Sequence, residues 1–185
     1  MYRIALVFAA SLALLGADEI PGWIKAGSHP KDYDVGRDKA ISLGGKPSGF
    51  IKSNKSDAEG FGSYMQMFDA DEFRGKRVEF SAFVKSEDVA DWAGLWMRID
   101  GEKQAVAFDN MQGRPIKGTA NWTRYSVVLD VAPDAKAVAF GILLSGKGSV
   151  WINDVRFEIV PNTVPVTDLQ KTKPSGPRNL SFEQK

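Results

Sequence analysis

The stretch WAGLWMRIDG, Trp92 to Gly101, carries the clearest alternation in the chain. Read at every second residue, it divides into Ala93, Leu95, Met97 and Ile99 on one side. Trp92, Gly94, Trp96, Arg98 and Asp100 fall on the other. Successive side chains of a β-strand point to opposite faces. This segment therefore reads as a strand with one plain aliphatic face and one face that joins two indoles to an arginine and an aspartate.

Working outward, segments of similar length recur between Gly, Asp, Asn and Lys turns. Strands are expected near residues 40–43, 48–52, 62–68, 77–85, 93–99, 105–110, 123–131, 137–144 and 150–159. Regularly spaced short strands with turn signals between them predict an all-β fold, an antiparallel β-sandwich or barrel. EFRGKR (72–77) and APDAK (132–136) read as turns, and Pro133 bars a ladder bond. LSGKGSVW (144–151) reads as a glycine-rich hairpin loop joining the last two strands. Short helical turns are expected at 69–73 and 86–91. After Val160 the chain turns proline-rich and polar, so residues 161–185 read as an extended segment, closing on NLSFEQK with Leu180 and Phe182 on one side.

The chain has 185 residues, 43% of them hydrophobic, with a net charge of +1 and no cysteine. That length supports one domain with a real core, placed at 18–160. The near-zero charge argues against nucleic acid or an anionic membrane as the main partner. The lack of cysteine excludes a disulfide framework, a thiol nucleophile and cysteine-ligated zinc. The first residues, MYRIALVFAASLALLGADE, pair a basic start at Arg3 with an apolar run from Ile4 to Leu15. The run is too short to span a bilayer and fits a secretory signal peptide over 1–17, the alternative being a buried N-terminal helix. A secreted or periplasmic, cell-envelope location is the expectation that follows, with no membrane span after cleavage.

No catalytic motif stands out. His29 is the only histidine, and its neighbour Ser28 does not form a nucleophile–base pair by adjacency. No GxSxG, phosphate-binding loop or dinucleotide fingerprint occurs. Paired carboxylates are the remaining enzymatic option, with Asp100, Asp109, Asp130 and Asp154 as candidates. Binding has better support. Sugars present apolar C–H faces and many hydroxyls, so their sites combine aromatic platforms with planar polar groups. Trp92, Trp96 and Phe108 are the candidates for apolar contact. Arg98, Asn110 and Gln66 are the candidates for hydrogen bonds. Trp96 is equally compatible with a core position, and Arg98 and Asp100 with a simple surface ion pair. Trp23 and Trp151 are expected to pack in the core or plug one end of the sandwich.

Several stretches taken together, GKRVEFSAFVKSEDV, WAGLWMRIDG, AFDNMQGRPIKGTANWTRYSVVLDV, AFGILLSGKGSVWINDVRFEIV and the early PGWIKAGSHPKDYDVGRD, resemble a family of small bacterial domains often labelled transcriptional regulators. More distantly, PGW, GKRVEFSAFVK and VWINDVRFE are similar to galactose-binding-like jelly rolls, which include many carbohydrate-binding modules. The resemblance implies a jelly-roll β-sandwich. It also implies a structural calcium, with Asp154 and Glu183 at the matching positions and Asp18 or Glu19 as substitutes. In such modules a segment like NLSFE precedes PGW, whereas here it stands at the C-terminus. It is either a circularly permuted strand or the remnant of a second domain. The leading expectation is an exported, non-catalytic, monomeric module that binds a saccharide or other small polar ligand on a concave sheet face. The alternatives are a structural or regulatory domain that meets a protein partner, and a carboxylate-dependent glycoside-active enzyme.

Overall fold

A computed structural model describes residues 20–168 and 180. The leader at 1–17, Asp18, Glu19, Phe182 and Glu183 lie outside the described residues. Among the described residues nine strands form the fold: β1 (Ile24–Gly27), β2 (Tyr33–Leu43), β3 (Lys46–Ser53), β4 (Phe61–Asp69), β5 (Arg77–Asp100), β6 (Ala105–Asp109), β7 (Ile116–Asp130), β8 (Ala137–Ser145) and β9 (Ser149–Val160). Two three-residue 3-10 turns, Pro30–Asp32 and Asp71–Phe73, are the only helical elements among the described residues.

The 24-residue strand β5 organises everything else. Its first half, from Arg77 to Glu87, pairs with β9 and β7, and β9 continues to β3 and β2. Its second half, from Trp92 to Asp100, pairs with β8 and β6, and β8 continues to β4 and β1. One bent strand thus belongs to two antiparallel sheets, here called sheet I (β7, first half of β5, β9, β3, β2) and sheet II (β6, second half of β5, β8, β4, β1). The expected antiparallel β-sandwich is what the chain forms.

The corner corrects one expectation. Residues 86–91, read as a helical turn, stay in extended pairing broken by three register shifts against β7. Asp88 sits there at φ 51, and its backbone N–H donates to Thr119 Oγ1 at 3.0 Å. Asp tolerates this left-handed conformation better than most residues. The irregularity has a consequence for parity. Before the corner the even residues Val78, Phe80, Ala82 and Val84 are buried in the main core. After it the odd residues Ala93, Leu95, Met97 and Ile99 are. A one-residue shift turns every following side chain to the other face, so the corner keeps both halves of β5 facing the same interior.

A second expectation also changes. Residues 144–151 do not close a hairpin, because β8 lies in sheet II and β9 in sheet I. The glycines at 146 (φ 69) and 148 (φ 149) carry the chain from one sheet to the other. Ala90 donates to the carbonyl of Lys147 at 2.9 Å and fastens this crossing to the β5 corner.

The core between the sheets holds Phe80, Leu95, Met97, Ile99, Leu129, Ile142 and Leu144, with an aromatic cluster at one end. Phe140 packs there against Phe80, Phe157, Phe68 and Trp23, with centroids 4.7–6.0 Å apart. Trp23 is in the position expected of it. Trp151 is buried, but on the outer side of sheet I rather than between the sheets. There Lys52 covers its ring at 4.8 Å and its Nε1 donates to Asp38 Oδ2 at 2.8 Å. The C-terminal segment begins as a clasp. Arg77 donates to the carbonyl of Asn162 at 2.6 Å and to that of Val164, while Thr167 exchanges hydrogen bonds with Val128 on the edge of β7.

Asp38 ties β2 to its neighbours. Burial pushes its carboxyl up, but donations from the Ile41 N–H, the Trp151 indole, the Ala40 N–H and Lys52 together hold it below 3.8. A depressed carboxylate stabilises the fold above its unfolded pKa, and that contribution is lost as pH falls through the folded value. Thermal melts from about pH 5 to about pH 3 should therefore show a steeper loss of Tm in the wild type than in Asp38→Asn, which is less stable at neutral pH. At the corner, Asp88→Val should lower stability by about 1–2 kcal/mol because a β-branched residue resists positive φ. Asp88→Gly should melt close to the wild type.

Candidate functional site

Register decides which side chains share the outer face of sheet II. Trp96 stands opposite Gly141 of β8, and Gly141 stands opposite Met65 of β4. By the same pairing Gly94, Leu143 and Ser63 form a row, as do Arg98, Ala139 and Met67. On the other flank Phe108 of β6 stands opposite Arg98. This face holds a groove of about 330 Å³ lined by Trp92, Trp96, Arg98, Phe108, Asn110, Met65, Ser63, Phe61, Leu143, Ala26 and Gly27. Five of the six expected ligand-contact residues converge there.

Gln66 does not. It lies one position out of phase with Met65 and lines a different cavity of about 400 Å³, together with Tyr64, Trp23 and Phe140. The β4 residues that join the groove are Phe61, Ser63 and Met65, on the alternation opposite to Gln66. The physical reason is cross-strand phase. Within β4 either alternation carries an aromatic, and only its pairing with β8 selects the outward one.

Trp96 forms the floor of the groove. It is only 8% exposed, in a small cluster with Met65, Ala139 and Leu143 that is separate from the main core. Its Nε1 donates to Ser63 Oγ at 2.8 Å, and Ser63 Oγ donates to the carbonyl of Ile142 at 3.1 Å. Ser63 lies two strands away, across β8, so the indole must lie over β8. Gly141 makes that possible. A Cβ there would strike the Tyr64 carbonyl and the Met65 Cα, and it would point onto the face the indole covers. Trp92 is half-buried at one end of the groove, beside Phe61, which is 40% exposed. The Cβ that Gly94 lacks would approach the Asn110 carbonyl to 2.8 Å, so the glycine admits the Asn110–Met111 turn close to β5.

The polar groups are also held. Arg98 pairs with Asp100 through Nε–Oδ1 at 2.7 Å and Nη2–Oδ2 at 2.9 Å. Asn110 Oδ1 accepts the Gln112 N–H at 3.1 Å. Asp109, fully buried, accepts the Met111 N–H at 2.8 Å and both terminal nitrogens of Arg114 at 3.2 and 2.6 Å. Asp109 and Arg114 thereby fix the turn that carries Asn110. Their role was not visible in the sequence, although their five-residue spacing was.

Every carboxylate considered for catalysis is matched by arginine: Asp100 by Arg98, Asp109 by Arg114, Asp130 by Arg77, and Asp154 by Arg124 and Arg156. Arg156 beside Asp154 holds its carboxyl below the usual value. A general acid needs the opposite shift. The two arginines also suit Asp154 poorly to calcium, whose ligands are oxygens. Among the described residues no group of three or more His, Cys, Asp and Glu could hold a metal ion. His29 is surface-exposed, with Nε2 3.7 Å from Glu59.

No protein-family model matches the chain. Over 170 residues it is 43% identical to a Bacillus subtilis (strain 168) protein named as an uncharacterized HTH-type transcriptional regulator, YbfP. The match takes in 90% of this chain and 58% of that protein. The chain thus spans rather more than half the length of this relative. Among solved structures it is similar to the enzymatically active domain of tailspike protein 4 of bacteriophage CBA120 (TM-score 0.59, 15% identity, 78% of this chain and 21% of that chain). It is also similar to the CBM22-1 xylan-binding domain of Paenibacillus barcinonensis Xyn10C (TM-score 0.57, 12% identity, 78% of this chain and 90% of that chain). Both resemblances drawn from the sequence are borne out: to a regulator-labelled bacterial protein, and, at the level of fold, to jelly-roll carbohydrate-binding modules.

Removing the Ser63 hydroxyl should leave the Trp96 N–H buried without its acceptor. Ser63→Ala is expected to cost about 1–3 kcal/mol and lower Tm by roughly 2–4 °C per kcal/mol, read by calorimetry, with a change in tryptophan emission.

Proposed function

We propose that this chain is a non-catalytic module that binds a saccharide in the groove on the outer face of sheet II. One observation carries the reading. Trp92, Trp96 and Phe108 stand with Arg98 and Asn110 around a solvent-lined groove, while the aliphatic residues of the same strand are sealed in the main core. A core-packing role would not need an arginine and an asparagine beside the rings. Sugar recognition needs both, a flat apolar surface for C–H groups and planar polar groups for hydroxyls. The likeness in fold to a xylan-binding domain supports this class of ligand and makes xylan the first polysaccharide to test.

A second reading follows from the relative in Bacillus subtilis, which is named a regulator and is longer than the match. In it the module serves as the ligand-sensing part of a regulatory protein. The two readings share the groove and differ in what the occupied groove is coupled to. The described residues contain no α-helix, so a helix-turn-helix contact with DNA would have to be made outside them.

Binding should be weak, because a shallow groove desolvates little of its ligand. Tryptophan fluorescence titrated with xylan, β-glucan, mannan and galactan should shift with at least one of them. Trp92→Ala should weaken that response by roughly tenfold or more in a protein that still melts cooperatively, since Trp92 is half-buried and packs against the small cluster around Trp96 rather than in the main core. An unchanged emission across the panel, in a protein that melts cooperatively, would remove this function.

A further inference from the structure

A larger cavity, about 780 Å³, opens at the free edge of the sandwich, and its lining includes Trp23, Ile24, Lys25, Asp34, Phe50 and Lys52. It lies where β1, the edge of sheet II, faces β2 and β3 of sheet I. Lys25 fastens the two sides by donating to the Tyr33 carbonyl at 3.0 Å.

The groove and this cavity share one strand. Ala26 and Gly27 of β1 line the groove, and Ile24 and Lys25 line the edge cavity. Ile24 stands opposite Met65 in the ladder and is two residues from Ala26, so it lies on the groove face. It is also 52% exposed, an apolar side chain left open at the junction of the two hollows. From the second half of β5 to β1 is three strand spacings, about 14 Å. The apolar surface therefore runs from Trp96 over Met65 to Ile24 and then turns into the edge cavity.

The lining of the edge cavity also selects a type of ligand. Trp23 and Phe50 offer ring surface. Lys52 is matched by Asp38 at 3.3 Å, and Lys25 and Asp34 bring one charge of each sign. No net charge is left to attract an ion, and the remaining groups suit hydroxyls and C–H faces. We propose that the edge cavity is a second subsite for the same ligand, so that the module grips a linear, neutral oligosaccharide that crosses β1. This rests on the saccharide reading of the groove. A chain held at both points gains affinity because the second contact is intramolecular.

The test is calorimetric titration of the full chain with linear xylo-oligosaccharides and cello-oligosaccharides, from disaccharide to hexasaccharide. Wild-type affinity for one series should climb roughly tenfold or more from the short to the long members. Ile24→Asp and Asp34→Ala, both at exposed positions, should keep the wild-type melt and short-chain affinity but lose the climb. If the climb survives in both variants, the second subsite is overturned and the groove reading stands. If the climb is absent from the wild type while short members bind, the subsite is likewise overturned. If no member of either series binds the wild type, the subsite falls together with the groove reading for these sugars.

Discussion

The structure depends on the corner in β5. In β5 the inward-facing set of alternate residues changes where the strand passes from one sheet to the other, from even-numbered residues before the corner to odd-numbered ones after it. The register shifts between Val84 and Ala93, with Asp88 at positive φ, accomplish that reversal. With the parity reset, Ala93, Leu95, Met97 and Ile99 are buried completely, and Trp92, Trp96 and Arg98 face outward. Without it the two indoles and the arginine would point into the aliphatic interior, where an unpaired guanidinium is not tolerated. The same corner also receives the crossing from β8 to β9 through the Ala90–Lys147 hydrogen bond. Sandwich closure and the composition of the groove thus have a single local cause.

Given that face, the groove is largely formed before any ligand arrives. Trp96 lies across β8 over Gly141 and is fixed by Ser63. Arg98 is fixed by Asp100, and the Asn110 turn by Asp109 and Arg114. Ordering rotamer-rich side chains on binding costs about 0.5–1.5 kcal/mol each, and these groups have met most of that cost in folding. Trp92 is the freer aromatic. A rigid floor and a more adjustable end wall make a sensible division for a shallow site, which has little buried area to offset ordering.

The alternation in Trp92–Gly101 made the strand, its two faces and most of the groove legible in the sequence. What stayed hidden depends on relations between strands. Ser86–Asp91 has a polar, acidic composition that fits a helical turn as well as a bulged corner, and only pairing with β7 distinguishes them. The glycines after β8 signal a turn, but a hairpin and a crossing between sheets use the same residues. Tyr64, Gln66 and Phe68 share one alternation that looks like the polar–aromatic set of β5 and so points Gln66 at the groove. The β4–β8 register instead places Tyr64 in the core and Met65 beside Trp96. Asp154 looked available for a cation, but Arg124, thirty residues earlier in sequence, pairs with it across the outer face of sheet I.

The placement of charge bears on the proposed reading that the groove holds a ligand without transforming it. Glycoside cleavage needs two carboxyl groups facing one substrate with their proton affinities set apart, one raised enough to donate. Here the four carboxylates considered for catalysis, Asp100, Asp109, Asp130 and Asp154, each pair with a guanidinium, and Arg156 beside Asp154 lowers its proton affinity. Of these, Asp100 pairs directly with a groove residue and serves to orient Arg98. What the groove offers is ring surface, a fixed guanidinium and an amide, all of which stabilise a bound ground state. Interactions that bind substrate and transition state equally do not accelerate chemistry. On the proposed reading the arrangement serves recognition, and any wider consequence of ligand binding would be transmitted through the strands that frame the groove or through a polypeptide joined to them.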